Sequence, residues 1–142
     1  MTAKEYEGIK ARLNRYREMR GRVARLTEEA ARWNSMAELS APEFRRTGGG
    51  RGGHQDMGAL KASALTIEAE RDQAAKDAMA ERQHLLEMIS QIEDDSCRSI
   101  LEQVYIGGAT TKSVAAAMGI SERTAFRKMN AAFRFLAQKG DL

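Results

Sequence analysis

Ten apolar or aromatic residues recur along one stretch at steps of three and four: Tyr6, Ile9, Leu13, Tyr16, Met19, Val23, Leu26, Ala30, Trp33 and Ala37. Such spacing draws one stripe down the side of an α-helix and fits no strand. The seam is close to a heptad pattern with one slip, as in coiled coils. It predicts a helix over residues 3–39, which at 1.5 Å per residue would be roughly 55 Å long. Thr2 and Glu5 fit a capping box at its start, each side chain meeting a backbone N–H that the helix leaves unpaired. Gly21 is its weak point, at about 1 kcal/mol against Ala. A helix of that length with a narrow apolar stripe needs a partner.

Ser40, Ala41 and Pro42 predict the end of this helix, since proline cannot continue the hydrogen-bond ladder. Residues 42–56 hold five of the twelve glycines of the chain and read as a flexible linker that lets the chain reverse. A second helix is predicted over residues 57–92, with Asp56 as its N-cap. Its seam is Leu60, Ala64, Ile67, Arg71, Ala74, Ala78, Leu85, Met88 and Ile92. The Ala-rich middle predicts thin packing. Residues 1–40 carry 9 Lys/Arg and 6 Asp/Glu, whereas residues 57–95 carry 4 and 9. The two helices therefore read as an antiparallel coiled-coil hairpin or as parts of a dimeric bundle. Opposite charges beside a seam select partner and orientation more than they stabilise.

Residues 93–142 form a different unit, basic from residue 96 on, with 7 Lys/Arg against 3 Asp/Glu over 96–142. Residues 93–96 offer N-caps for a short helix carrying Ile100, Leu101, Val104 and Tyr105, which Gly107 and Gly108 stop. Thr110 or Thr111 starts the next helix, with Val114, Ala115 and Met118. Gly119 makes a tight turn. Ser121 caps a last helix whose apolar stripe is Ala125, Phe126, Met129, Ala132, Phe133 and Leu136, and Gly140 ends it.

Residues 111–129 fit a helix-turn-helix. Ala115 is small where two helices would cross, and Gly119 can take a positive φ between them. Val114, Met118, Ile120, Ala125 and Met129 would close a small core. Arg123, Thr124, Arg127 and Lys128 then face outward, toward the major groove of a DNA duplex. Arg can hold guanine with two hydrogen bonds, and Lys can serve a base or a phosphate. Thr111 and Lys112 would hold phosphates. Arg134 and Lys139 read as solvated or phosphate-facing, and Phe126 and Phe133 as core.

Residues 94–105 followed by this helix-turn-helix resemble region 4 of sigma-70-type factors. The whole chain resembles the phage RinA/ArpU-type transcriptional regulators in three places: residues 1–6, the Gly-rich junction into Asp56 and Met57, and residues 123–127. The resemblance implies two long helices before a sigma-like domain, in a phage or prophage regulator that activates late genes.

Other signals point away from catalysis. Gly48, Gly50 and Gly53 spell a GxGxxG, but no strand precedes them, so a dinucleotide site is not expected. The Arg51-Gly-Gly triplet reads as linker. His54, His84 and Cys97 lack metal-ligand spacing. His84 reads as a helix-surface or seam residue and Cys97 as half-buried near a helix start. No nucleophile, base and orienting group come together, so neither enzymatic activity nor a cofactor is expected. A lone Cys97 suits a reducing cytoplasm, and no apolar run is long enough to span a bilayer. The basic run from Lys10 to Arg25 reads as a coiled-coil flank, with a phosphate-tracking arm as the sharper alternative.

The expectation is an all-α protein. Residues 1–92 would form the oligomerising coiled coil and residues 93–142 the helix-turn-helix domain. It would bind double-stranded DNA by sequence, as a homodimer or larger homo-oligomer, in the cytoplasm of a bacterial host. One alternative is a partner of RNA polymerase or a sigma factor that regulates without reading DNA. Another is a DNA-packaging component like a small terminase subunit.

Overall fold

A computed structural model of the chain describes the backbone of residues 2–47 and 51–140, and the side chains of residues 2–39 and 57–140. Among these residues the protein is all-α, without a strand. Helix α1 spans Ala3–Thr47 and α2 spans Arg51–Ser90. Helix α3, Asp95–Leu101, runs on into a π-helical turn, Glu102–Ile106. Helix α4 covers Thr111–Met118 and α5 covers Glu122–Lys139.

The long helices depart from the sequence expectation at their ends. Helix α1 does not stop at residue 39 but passes Pro42 and reaches Thr47. Helix α2 begins at Arg51, so Asp56 lies inside it rather than capping it, and it ends at Ser90 rather than 92. The expected linker over residues 42–56 is thus helical backbone on both sides, and its Gly48, Gly49 and Gly50 lie outside the described residues. Proline removes one donor and a glycine costs about 1 kcal/mol, local penalties that a long cooperative ladder outweighs.

Packing divides the chain into two compact units, Met19–Asp77 and Met1–Glu18 with Ala78–Leu142. The first is a helical hairpin made by α1 and α2. Among the described residues, Leu26, Ala30, Ala37 and Ala64 are its buried apolar residues. Met19, Val23, Trp33, Leu60, Ile67 and Ala74 are half-buried around them. Three of the four buried residues are Ala, so little apolar area leaves water per residue and the packing is thin. Asn34 Nδ2 donates to Glu68 Oε1 across the pair at 2.9 Å.

The second unit gathers the start of α1, the end of α2 and all of α3–α5. Its core holds Ile9, Leu13, Leu85, Ile89, Ile100, Leu101, Val114, Phe133 and Leu136, each almost completely buried. The Tyr6 ring meets Phe133 edge-on with centroids 5.5 Å apart, and Tyr105 meets the same ring at 6.3 Å. Arg17 Nη2 donates to the Val104 carbonyl at 3.1 Å, and its guanidinium lies 5.7 Å from the Tyr105 ring centroid. The packing boundaries therefore fall inside both long helices, whereas the sequence places one boundary at residue 92. From α1, Tyr6 covers Phe133, and Ile9 and Leu13 are completely buried in this unit.

One ion pair is sequestered here. Arg12 pairs with Glu81, with side chains only 17% and 10% exposed. Burial, with Arg15 nearby, lowers the Arg12 pKa.

Candidate nucleic-acid interface

Three side-chain caps fix the start of each short helix. Asp94 accepts from Cys97 N at 3.0 Å, Thr110 from Ser113 N at 3.1 Å, and Ser121 from Thr124 N at 3.0 Å. Each satisfies a backbone donor that has no partner within the helix. Gly119 then closes α4 in the left-handed region, φ 69° and ψ 29°. Its neighbour Ile120 donates to the Ala115 carbonyl at 3.0 Å, which tightens the turn into α5. Val114, Ala115, Ala125 and Met129 are buried between the two helices, with Met118 and Ile120 half-buried. The segment is thus a helix-turn-helix in geometry, with the turn and cap where the sequence puts them.

The site residues expected from sequence fall into two groups. Lys112, Ser121, Arg123 and Arg127 are exposed. Thr111, Thr124 and Lys128 are half-buried and engaged. Thr111 Oγ1 lies 3.6 Å from Met129 Sδ, and Thr124 Oγ1 accepts from Ser121 Oγ at 2.9 Å. Lys128 Nζ donates to Ser96 Oγ at 2.9 Å, and Ser96 Oγ donates in turn to Asp94 Oδ1 at 2.7 Å. Lys128 is therefore turned toward the start of α3, where it steadies a cap. The Ser96 hydroxyl, with the Cys97 N–H, holds the Asp94 carboxyl well below the usual carboxylate range. Burial, helped by Asp94, pushes the Cys97 thiol up.

One expectation for α5 is corrected. Phe133 is buried, but Phe126 is 48% exposed. The stripe Ala125, Met129, Ala132, Phe133 and Leu136 is filled without Phe126, which lies one residue round the helix from Ala125 and leans out of the core. Asn130, one turn on, is also exposed. Sequence patterning places Phe126 in the core because a Phe within an apolar run counts toward it.

Between α1 and the helix-turn-helix, a cleft of about 350 Å³ is lined by Tyr6, Lys10, Asn14, Arg17, Tyr105, Thr110, Thr111, Phe126 and Asn130 among others, with no carboxylate in its wall. Among residues 111–128 the single acidic residue is Glu122, against Lys112, Arg123, Arg127 and Lys128. The surface around the turn is accordingly cationic, with exposed Arg forks and hydroxyls. Such a surface suits phosphate and base edges. Among the described residues no group of three or more His, Cys, Asp or Glu is placed to hold a metal ion.

No curated protein and no solved structure matches the chain significantly. One family model does match, over residues 38–137, which takes in the end of α1, all of α2 and nearly all of α3–α5. The chain belongs to that family, described as proteins of unknown function DUF1492.

Proposed function

We propose that the chain is a sequence-specific DNA-binding transcriptional regulator, an activator of late genes in a phage or prophage, with α5 entering the major groove. The observation that carries the reading is the α4–turn–α5 geometry: Gly119 in the left-handed region, Ser121 as cap, and Lys112, Arg123 and Arg127 exposed around them. In this arrangement Arg123 and Arg127 reach base edges and Lys112 holds a phosphate. One small domain offers little contact area, so a specific site calls for two half-sites. Exposed Met36, Leu39 and Leu65 in the Met19–Asp77 hairpin support a homo-oligomer built through it. No described helix is long and apolar enough to cross a membrane. The bacterial cytoplasm is the proposed location, without a catalytic role or cofactor.

Exposed Phe126 favours a second reading, in which the domain anchors on RNA polymerase or a sigma factor, because an aromatic residue on a polar surface is a common protein anchor.

Fluorescence anisotropy over a salt series separates the two. Fragments of the encoding genome are titrated beside competitor DNA, with Arg123→Ala/Arg127→Ala alongside. A fragment preferred by about a hundredfold or more, and lost in the variant, is the expected result. Weak, salt-sensitive binding that the variant leaves unchanged would shift the reading to the polymerase partner.

A further inference from the structure

The basic run of α1 is not one uniform face. Arg12 is committed to Glu81, and Arg17 to the Val104 carbonyl. Arg22 lines a hollow with Glu70 and Asp77, and the Arg25 guanidinium folds back over Gly21. Lys10 is different. It is exposed, its ammonium lies 5.9 Å from the Tyr6 ring centroid, and it lines the cleft that Thr110 and Thr111 also line.

We infer that Lys10 and Asn14 of α1 form the second wall of a phosphate-binding cleft, which holds the backbone of duplex DNA beside the groove that α5 enters. The inference rests on the DNA-binding reading above and extends it to a helix that no helix-turn-helix contains. Charge complementarity selects the occupant. The wall carries two cations, amide and hydroxyl groups and no carboxylate, which is the donor set that phosphate oxygens take and an acidic or apolar partner alone does not require. Lys10 supplies the point charge. Asn14, half-buried, offers an amide donor, and the Thr110 hydroxyl can donate while its oxygen still caps α4. Tyr6 flanks these groups and offers its ring to the deoxyribose edge. Contacts of this kind set register on the duplex and carry no sequence information.

The test uses the full chain, a preferred duplex and an unrelated duplex, over a salt series. Each phosphate neutralised contributes about 0.9 to the slope of log K against log salt concentration. Lys10→Ala should flatten the slope by about that amount and weaken both duplexes alike, leaving their ratio unchanged. Asn14→Asp, which places a carboxylate in the wall at nearly constant shape, should weaken both further. Arg25→Ala should leave the slope as it is. Thermal melts confirm that each variant is folded, as the exposure of Lys10 leads one to expect. If Lys10→Ala and Arg25→Ala flatten the slope equally, α1 is a uniform phosphate-tracking arm and the cleft assignment is overturned. An unchanged slope in Lys10→Ala while the wild type binds overturns the cleft alone. A wild type that binds no duplex overturns the cleft and the DNA-binding reading together.

Discussion

Gly8→Ala and Gly119→Ala are the same chemical change, and the structure assigns them opposite signs. Gly8 lies inside α1, and a Cβ built on it meets nothing within 4 Å. Alanine there gains helix propensity and stiffens the unfolded chain, together about 0.5–1 kcal/mol of stabilisation. A Cβ on Gly119 also meets nothing within 4 Å, so crowding adds no cost. What remains is the backbone at φ 69°. An L-residue with a Cβ pays about 1–2 kcal/mol in that region, and the stiffer unfolded chain returns about 0.4–1 kcal/mol. The net expectation is a loss of about 1 kcal/mol, with Gly119→Asn losing less because Asn visits the left-handed region more readily. For a unit of this size 1 kcal/mol moves the midpoint by about 4 °C. Thermal unfolding followed by far-ultraviolet circular dichroism reads both changes. Accessibility of buried Cys97 to a thiol reagent reports on the unit that contains both glycines. If Gly119→Ala raised the midpoint as Gly8→Ala does, the left-handed turn, and with it the geometry of the helix-turn-helix, would be refuted.

Glu81→Ala strands the Arg12 charge in a site only 17% exposed, and should cost about 3 kcal/mol in urea unfolding. The double change Arg12→Met/Glu81→Leu should recover most of that loss, and a double variant as unstable as Glu81→Ala would show that the pair contributes more than its own neutralisation. Asp94 has its folded pKa depressed, first by the Ser96 hydroxyl and then by the Cys97 N–H. Its contribution is therefore complete above the unfolded value of about 3.9 and fades as pH falls through the folded pKa. Asp94→Asn should be less stable than wild type at neutral pH, with the gap closing in acid; a gap that widens in acid would reverse the assignment. Gly107→Ala would put a Cβ 2.8 Å from the Gln103 carbonyl oxygen, so the π-helical turn must shift and the melting midpoint should drop. Phe126 on the proposed reading helix would meet thymine methyl groups. Uracil in place of thymine in the preferred duplex should weaken the wild type and leave Phe126→Ala unaffected, and equal weakening of both would remove Phe126 from base recognition.

Much of the fold was legible because local patterns and tertiary packing agree. All ten seam residues of α1, from Tyr6 to Ala37, are buried or half-buried, as are all nine named for α2. Ser121 and Gly119 have the local roles that their chemistry suggests, and Asp94 and Thr110 settle which of several candidate residues cap α3 and α4. The helix ends near Pro42 were not legible, since a local breaker signal competes with a long cooperative ladder. Ile89 was also missed, although it is completely buried. Lying next to Met88, it widens the buried side of α2 beyond the single stripe that the seam encodes. In the candidate site, the exposed Arg123 and Arg127 were read from helical spacing. The turn of Lys128 toward Ser96, and the cleft that Lys10 and Thr110 share, depend on residues far apart in sequence, and no local pattern carries them.

The Arg17–Val104 hydrogen bond joins residues 87 positions apart. A ribosome adding about 5–20 residues per second needs roughly 4–17 s to cover that interval. Until Val104 is made, the first turns of α1 lack that partner, and the core around Ile9 and Leu13 is incomplete. The Met19–Asp77 hairpin is complete in sequence well before Val104 is made. The unit that carries the helix-turn-helix thus becomes a finished structure only once α3–α5 are made and Val104 has returned to Arg17.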